Sequence, residues 1–151
     1  MTKIDKVLFT GKTHTTASRG GSSLSSHDVA LNLALTAPGN TATPSYSFDA
    51  VQPHPTAEQL FAGAWSACYS AAVGLVAKEK KVTLPADTAV DIEVDLGMTG
   101  REYFLQARIS LHVPGLDHEL ALAIAHAADQ ICPYSKATRG NIDVALDVVT
   151  S

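Results

Sequence analysis

Val90-Asp91-Ile92-Glu93-Val94-Asp95-Leu96 alternates aliphatic with acidic residues, Gly97-Met98-Thr99-Gly100 interrupts the pattern, and Leu105-Gln106-Ala107-Arg108-Ile109-Ser110-Leu111-His112-Val113 resumes it. A period of two on both sides of a glycine-flanked break predicts an antiparallel hairpin with one apolar and one wet face, reversing at residues 97 to 100 and ended by Pro114-Gly115. A sheet with one apolar face needs a cover, and the flanking sequence supplies helices. Leu60, Phe61, Ala64, Cys68, Ala71, Ala72 and Leu75 follow helical spacing inside an Ala-rich segment from Phe61 to Ala77. Phe61, Cys68 and Leu75 recur every seven residues on one stripe, which predicts that Cys68 faces the interior. Gly63 and Gly74 each cost that helix about 1 kcal/mol relative to alanine, so tight packing or a bend is expected where they stand. Leu116, Leu120, Ile124, Ala127 and Ile131 mark a second amphipathic helix that Pro133 stops, and Ile142, Val144, Leu146 and Val148 mark a last strand.

Toward the N-terminus, Val7 and Phe9 alternate weakly, Thr13 to Ser26 is polar with a turn at Arg19-Gly20-Gly21, and Val29, Leu31, Leu33 and Leu35 alternate again. This reads as a three-stranded start. A long loop rich in Pro and Thr then spans residues 36 to 57. The resulting order, β-β-β-α-β-β-α-β, is α+β, with antiparallel sheets and two main helices gathered on the apolar face.

The chain has 151 residues, 46% of them hydrophobic, which suits one domain over residues 1–151 with a real core. Its formal net charge of -4, with 11 Lys and Arg scattered along the chain, gives no electrostatic footprint for nucleic acid or an anionic membrane. The first residues lack the apolar region of a secretion signal, and no apolar run is read as reaching the ~18 residues of a membrane span. The expected compartment is the cytoplasm, where a cysteine pair is usually transient and redox-active. Six histidines without a Cys-x-x-Cys leave no metal pattern, His118 and His126 being eight apart on a helix, and no cofactor is expected.

Chemistry concentrates on the two cysteines. Cys68, in mid-helix, needs a positive side chain from elsewhere to ionise, whereas Cys132 ends a helix whose negative dipole end opposes a thiolate. If one is a nucleophile and the other its resolving partner, Cys68 is the nucleophile; the alternative is that both simply fill the core. Phe61, Trp65 and Tyr69 belong to a pocket for an apolar substrate or to that same core.

The block from Glu58 through Ala64-Trp65-Ser66-Ala67-Cys68, and the block Cys132-Pro133-Tyr134-Ser135-Lys136-Ala137-Thr138-Arg139-Gly140-Asn141-Ile142-Asp143-Val144, resemble the two signatures of the organic hydroperoxide resistance proteins of the OsmC/Ohr superfamily. The resemblance covers nearly the whole chain and is strengthened by Lys81 to Asp87 and Pro114-Gly115-Leu116. It implies an intertwined homodimer and a thiol peroxidase acting on alkyl and fatty-acid hydroperoxides. Residue by residue, it makes Cys68 the peroxidatic cysteine, Cys132 the resolving one, Glu58 the acid before the helix and Arg19 the arginine of the N-terminal turn, ahead of Arg101, Arg108 and Arg139. It also implies reduction by a dithiol on lipoylated proteins. Ala17-Ser18 and Thr56-Ala57 depart from the family pattern, and residues 40 to 53 read as an enlarged loop at the pocket's lip. An OsmC-like peroxidase or redox sensor, and a non-enzymatic dimeric module, are the competing readings.

Glu58 and Cys68 stand ten residues apart on one helix, about 15 Å at ~1.5 Å per residue, so they need an arginine between them or a bend near Gly63.

Overall fold

The computed structural model describes residues 3–16 and 56–151. Within them the order is β1 (Lys6–Thr16), α1 (Ala57–Glu79), β2 (Ala89–Thr99), β3 (Glu102–His112), α2 (His118–Ile131), α3 (Pro133–Thr138) and β4 (Asp143–Val149). The expected second and third strands, the Arg19 turn and nearly all of the 36–57 loop lie outside the described residues.

The hairpin forms in the register that the alternation requires, with Val90 opposite Leu111, Ile92 opposite Ile109 and Val94 opposite Ala107. It reverses later than the glycines imply: Gly97, Met98 and Thr99 stay in β2, and Gly100-Arg101 is the loop. Gly100 has φ 59°, the glycine-first geometry of a two-residue hairpin loop. Gly97 serves another purpose, since a Cβ there would collide with the Ile4 side chain.

β1 extends through the polar residues Thr13–Thr16, which had read as the start of a non-strand segment. It pairs antiparallel with β2 as far as Thr16 opposite Ala89, and its outward side chains meet an acidic row on β2. His14 and His112 both contact Asp91, Lys12 lies 2.8 Å from Glu93, and Arg108 bridges Glu93 and Asp95. The face expected to be wet is therefore a ladder of paired charges, in which Asp95 is buried.

β4 joins on the far side of β3, in the sheet order β1-β2-β3-β4, and runs parallel to it. The sheet is thus mixed rather than wholly antiparallel, because the chain crosses over through α2 and α3 and returns in the same direction.

The helices cover the apolar face, as expected. Trp65, Tyr69, Val73 and Val76 of α1 join Ile124, Ala125 and Ala128 of α2 over Val90, Ile92, Ile109 and Leu111. The Phe61/Cys68/Leu75 stripe is only the flank of this buried surface: Leu75 is 63% exposed, while Phe61 and Cys68 are partly buried. Each stripe residue precedes a core residue by one position, or 100° of helix rotation, which turns it toward the edge. Gly74 has open space around it and Gly63 makes only an ordinary contact with Thr13, so neither marks the tight packing expected of it. α1 also has the length and mean hydropathy, 1.5 over 18 residues, of a segment able to cross a membrane, contrary to the sequence reading. Its interspersed Ser, Gly and Cys break the apolar run without lowering the mean much, and its buried face against the sheet and α2 makes it a core helix.

Candidate active site

α1 is fixed at its start by a reciprocal cap. Gln59 N–H donates to Thr56 Oγ1 at 3.1 Å, and Thr56 N–H donates to Gln59 Oε1 at 3.0 Å. This sets Glu58 in the first turn, where it is buried and its Oε2 has no hydrogen-bond partner among the described residues. The turn rests against β1 at Gly11, where a Cβ would lie 2.6 Å from Gln59 N and from Glu58 C. A glycine inside a strand often marks such an approach of a second backbone, and that was the one available sign of its role. Further along, Ser66 Oγ contacts Thr15 Oγ1 at 2.6 Å and ties mid-helix to the end of β1.

The second half of the site comes from the α2–α3 junction. Cys132 ends α2, with its N–H donating to Ala128 O at 2.9 Å, and it is also the cap of α3. Pro133 imposes this break. It disfavours helical backbone at the residue before it, and Cys132 has φ -61° and ψ 120°. Pro133 then occupies the first helical position, where its missing N–H costs nothing. The short helix that follows Pro133 has no apolar periodicity in the sequence to mark it.

These two constructions bring the cysteines together. Cys68 Sγ lies 3.1 Å from Cys132 Sγ, with Cys68 partly exposed and Cys132 wholly buried, both as free thiols. Burial pushes the Cys68 thiol up from its ordinary pKa, the Tyr134 backbone N–H pulls it down, and the Cys132 thiol adds to the rise. The Tyr134 N–H is one of the donors that a helix start leaves without an internal partner.

The aromatic residues near Cys68 are core with a polar use. Trp65 and Tyr69 are fully buried, and Phe61 meets Trp65 edge to face with ring centroids 5.7 Å apart. Trp65 Nε1 donates to Ser135 Oγ at 3.1 Å and Tyr69 OH donates to Ala125 O at 2.8 Å. Ser135 lies within the second signature block, and nothing in the local sequence signals this bond.

Arg19 lies outside the described residues. Of the other arginines, Arg139 donates to Asp129 Oδ2 at 2.6 Å, Arg108 belongs to the charged face of the sheet, and Arg101 sits in the hairpin loop. α1 runs unbroken through Gly63, so the distance between Glu58 and Cys68 is not relieved by a break. Among the described residues no group of three or more His, Cys, Asp or Glu is arranged to hold a metal ion. His118 and His126 are exposed on α2.

Comparison with known proteins converges on one group. The family model described as OsmC-like protein matches residues 49–147. The organic hydroperoxide resistance protein of Xanthomonas axonopodis pv. citri is 36% identical over 146 residues, 97% of this chain and 98% of that one. The crystal structure of an organic hydroperoxide resistance protein from Elizabethkingia anophelis aligns with a TM-score of 0.68 at 28% identity, over 98% of this chain and 100% of that chain. The crystal structure of OhrB from Bacillus subtilis aligns with a TM-score of 0.61 at 35% identity, over 65% of this chain and 73% of that one.

Proposed function

The chain belongs to the OsmC-like family and, within it, to the organic hydroperoxide resistance proteins, and we propose that it is a cysteine-based thiol peroxidase that reduces alkyl and fatty-acid hydroperoxides to alcohols. The observation that carries this reading is the pair of free thiols 3.1 Å apart, one partly open and one closed off. A peroxidatic sulfur must meet substrate, whereas a resolving sulfur needs only to meet the first.

In the proposed cycle the Cys68 thiolate attacks the terminal oxygen of ROOH. The O–O bond breaks, Cys68 becomes a sulfenic acid, and the leaving alkoxide takes a proton to become ROH. The Cys132 thiol then attacks the Cys68 sulfur, forming the disulfide and releasing the sulfenic oxygen as water. An external dithiol, of the lipoyl type on a carrier protein, restores both thiols. We assign Arg19 to stabilise the Cys68 thiolate and the departing oxygen, with Glu58 holding its guanidinium. The buried, unpartnered Glu58 oxygen supports that assignment, because a buried carboxylate oxygen calls for a donor. We further propose that the protein acts as an intertwined homodimer in the cytoplasm, with its active sites at the subunit interface and no cofactor.

Adding an organic hydroperoxide to the reduced protein should consume two thiols per chain, and dihydrolipoamide should sustain turnover. Thiols that persist under excess hydroperoxide would leave only a non-enzymatic dimeric module. Equal rates with hydrogen peroxide and a bulky hydroperoxide, together with indifference to the dithiol, would favour an OsmC-like peroxidase or redox sensor.

A further inference from the structure

We propose that Ser135 is a positioning residue for the resolving step, holding Cys132 against Cys68 through its bond to Trp65; the inference rests on the two-cysteine reading above. Trp65 and Tyr69 stand three residues before and one residue after Cys68, on the buried side of α1. Each sends its single polar atom to the segment that carries Cys132. Tyr69 OH reaches Ala125 O on α2, and Trp65 Nε1 reaches Ser135 Oγ on α3. The cysteine is thus tied on both sides of its break, once within each helix.

The two ties differ in what they constrain. Tyr69 bonds to a backbone carbonyl well inside α2, a helix already fixed by its own packing. α3 has six residues, too few to be stable on helical propensity alone. Ser135 is 2% exposed and accepts from the indole at 3.1 Å, while Thr138 Oγ1 donates to Tyr134 O or Ser135 O, both at 3.1 Å. The Trp65–Ser135 bond therefore sets where α3 begins relative to α1, and with it both Cys132 Sγ and the Tyr134 N–H that faces the Cys68 sulfur.

The reaction makes that placement matter. When Cys132 attacks the sulfenic sulfur, an S–S bond forms, the S–O bond breaks, and the thiol proton leaves with the oxygen as water. No outside oxidant enters this step. The sulfurs must close by about one ångström along a line opposite the leaving oxygen. A displacement of that size at a reacting pair can cost about a hundredfold in rate. Peroxide attack on Cys68 needs no such approach by Cys132, so the two steps should separate.

A single-turnover experiment on the full-length protein tests this, following loss of the first thiol and appearance of the disulfide by acid quench and mass spectrometry after one equivalent of cumene hydroperoxide. Ser135→Ala is expected to slow disulfide formation by about tenfold or more. The peroxide-dependent step should change by less than about threefold, the low end of what one weakened hydrogen bond is worth. Cys68 should also accumulate as sulfinic acid under excess peroxide. Trp65→Phe, which removes the donor and keeps a ring, should slow the same step, and the double variant should be no slower than the slower single one. Disulfide formation at the wild-type rate in Ser135→Ala, or additive effects in the double variant, would overturn the proposal while leaving the peroxidase reading intact. A wild-type protein that loses its first thiol but never forms the disulfide would overturn the proposal together with the two-cysteine cycle it rests on.

Discussion

Gly11→Ala is the most revealing single change outside the cysteines, because it tests whether β1 and the start of α1 touch backbone to backbone. The added Cβ would lie 2.6 Å from Gln59 N, 2.6 Å from Glu58 C and 2.7 Å from Glu58 Cβ. None of these belongs to the far end of a flexible side chain, so relief requires the first turn of α1 to move off the strand. Overpacking of this kind costs roughly 1–3 kcal/mol, and the gain from a less flexible unfolded chain offsets only about 0.4–1 kcal/mol of it. With a urea slope near 2 kcal/mol/M, the unfolding midpoint should fall by up to about 1.3 M. Gly74→Ala is the matched control: it lies in the same helix with nothing within 4 Å, and it should gain about 0.5–1 kcal/mol. Urea unfolding followed by far-UV circular dichroism reads both. We also expect Gly11→Ala to lose peroxidase activity under conditions where it is fully folded, since the displaced turn carries Glu58. A Gly11→Ala protein as stable as wild type, or a Gly74→Ala protein as damaged as Gly11→Ala, would refute the reasoning.

Cys68→Ser should abolish turnover, whereas Cys132→Ser should complete one attack and stop at a sulfenic or overoxidised Cys68; sustained dithiol-driven turnover by Cys132→Ser would end the resolving role. Arg19→Ala should raise the Cys68 pKa and slow peroxide attack, and an alkylation-versus-pH profile identical to wild type would pass the role to Arg139. Asp95 should contribute to acid stability: hydrogen bonds from Arg108 hold its carboxyl at about 2, below its ordinary 3.8, so the contribution is present above pH 3.8 and fades as pH falls toward 2. Discounted for the 40% exposure of the Arg108 side chain, it is worth about 1–2 kcal/mol at neutral pH, and urea midpoints for Asp95→Asn that decline between pH 5 and 2 as steeply as wild type would contradict it. Emission from Trp65, the chain's single tryptophan, should change when the disulfide forms and recover with a lipoyl dithiol, because its indole is bonded to the segment that must move.

Period-two alternation made the hairpin legible, since Val90, Ile92 and Val94 could only share one face, and Cys132-Pro133 made the end of α2 legible because a proline acts on its neighbours alone. What escaped depended on distant partners. The parallel placement of β4 requires knowing where the crossover lands, and Leu75 reads as core until the direction of the sheet is fixed. Glycine misled in both directions: Gly97 and Gly74 looked like a turn and a tight contact, yet one lies in a strand under Ile4 and the other faces open space, while Gly11, unremarked in a weakly patterned strand, is where the helix rests. A glycine's meaning is set by what approaches it. The same holds for Ser135, whose partner is 70 residues earlier in the chain.

The electrostatics of Cys68 bear directly on the proposed peroxidase chemistry. Burial and the neighbouring thiol both push the Cys68 pKa up, and among the described residues only the Tyr134 N–H opposes them. A single backbone donor is worth about 0.5–1.5 kcal/mol, near one pKa unit at most, so a thiolate at this partly buried sulfur calls for a further stabilising group, which the proposed chemistry takes from a cation. Of the described arginines, Arg108 pairs with Glu93 and Asp95 on the opposite face of the sheet and Arg139 pairs with Asp129, while Arg101 sits in the β2–β3 loop. Glu58 is buried at the start of the same helix with an oxygen that has no hydrogen-bond partner among the described residues, and in the proposed site it would hold that cation. The family resemblance gives that task to Arg19, three residues past the end of β1, a strand tied to α1 through Thr15 and Ser66. In the proposed cycle, attack by Cys68 would draw chiefly on the charge of Arg19 and resolution by Cys132 on the Trp65–Ser135 hydrogen bond, so variants of Arg19 and Ser135 should slow mainly different steps.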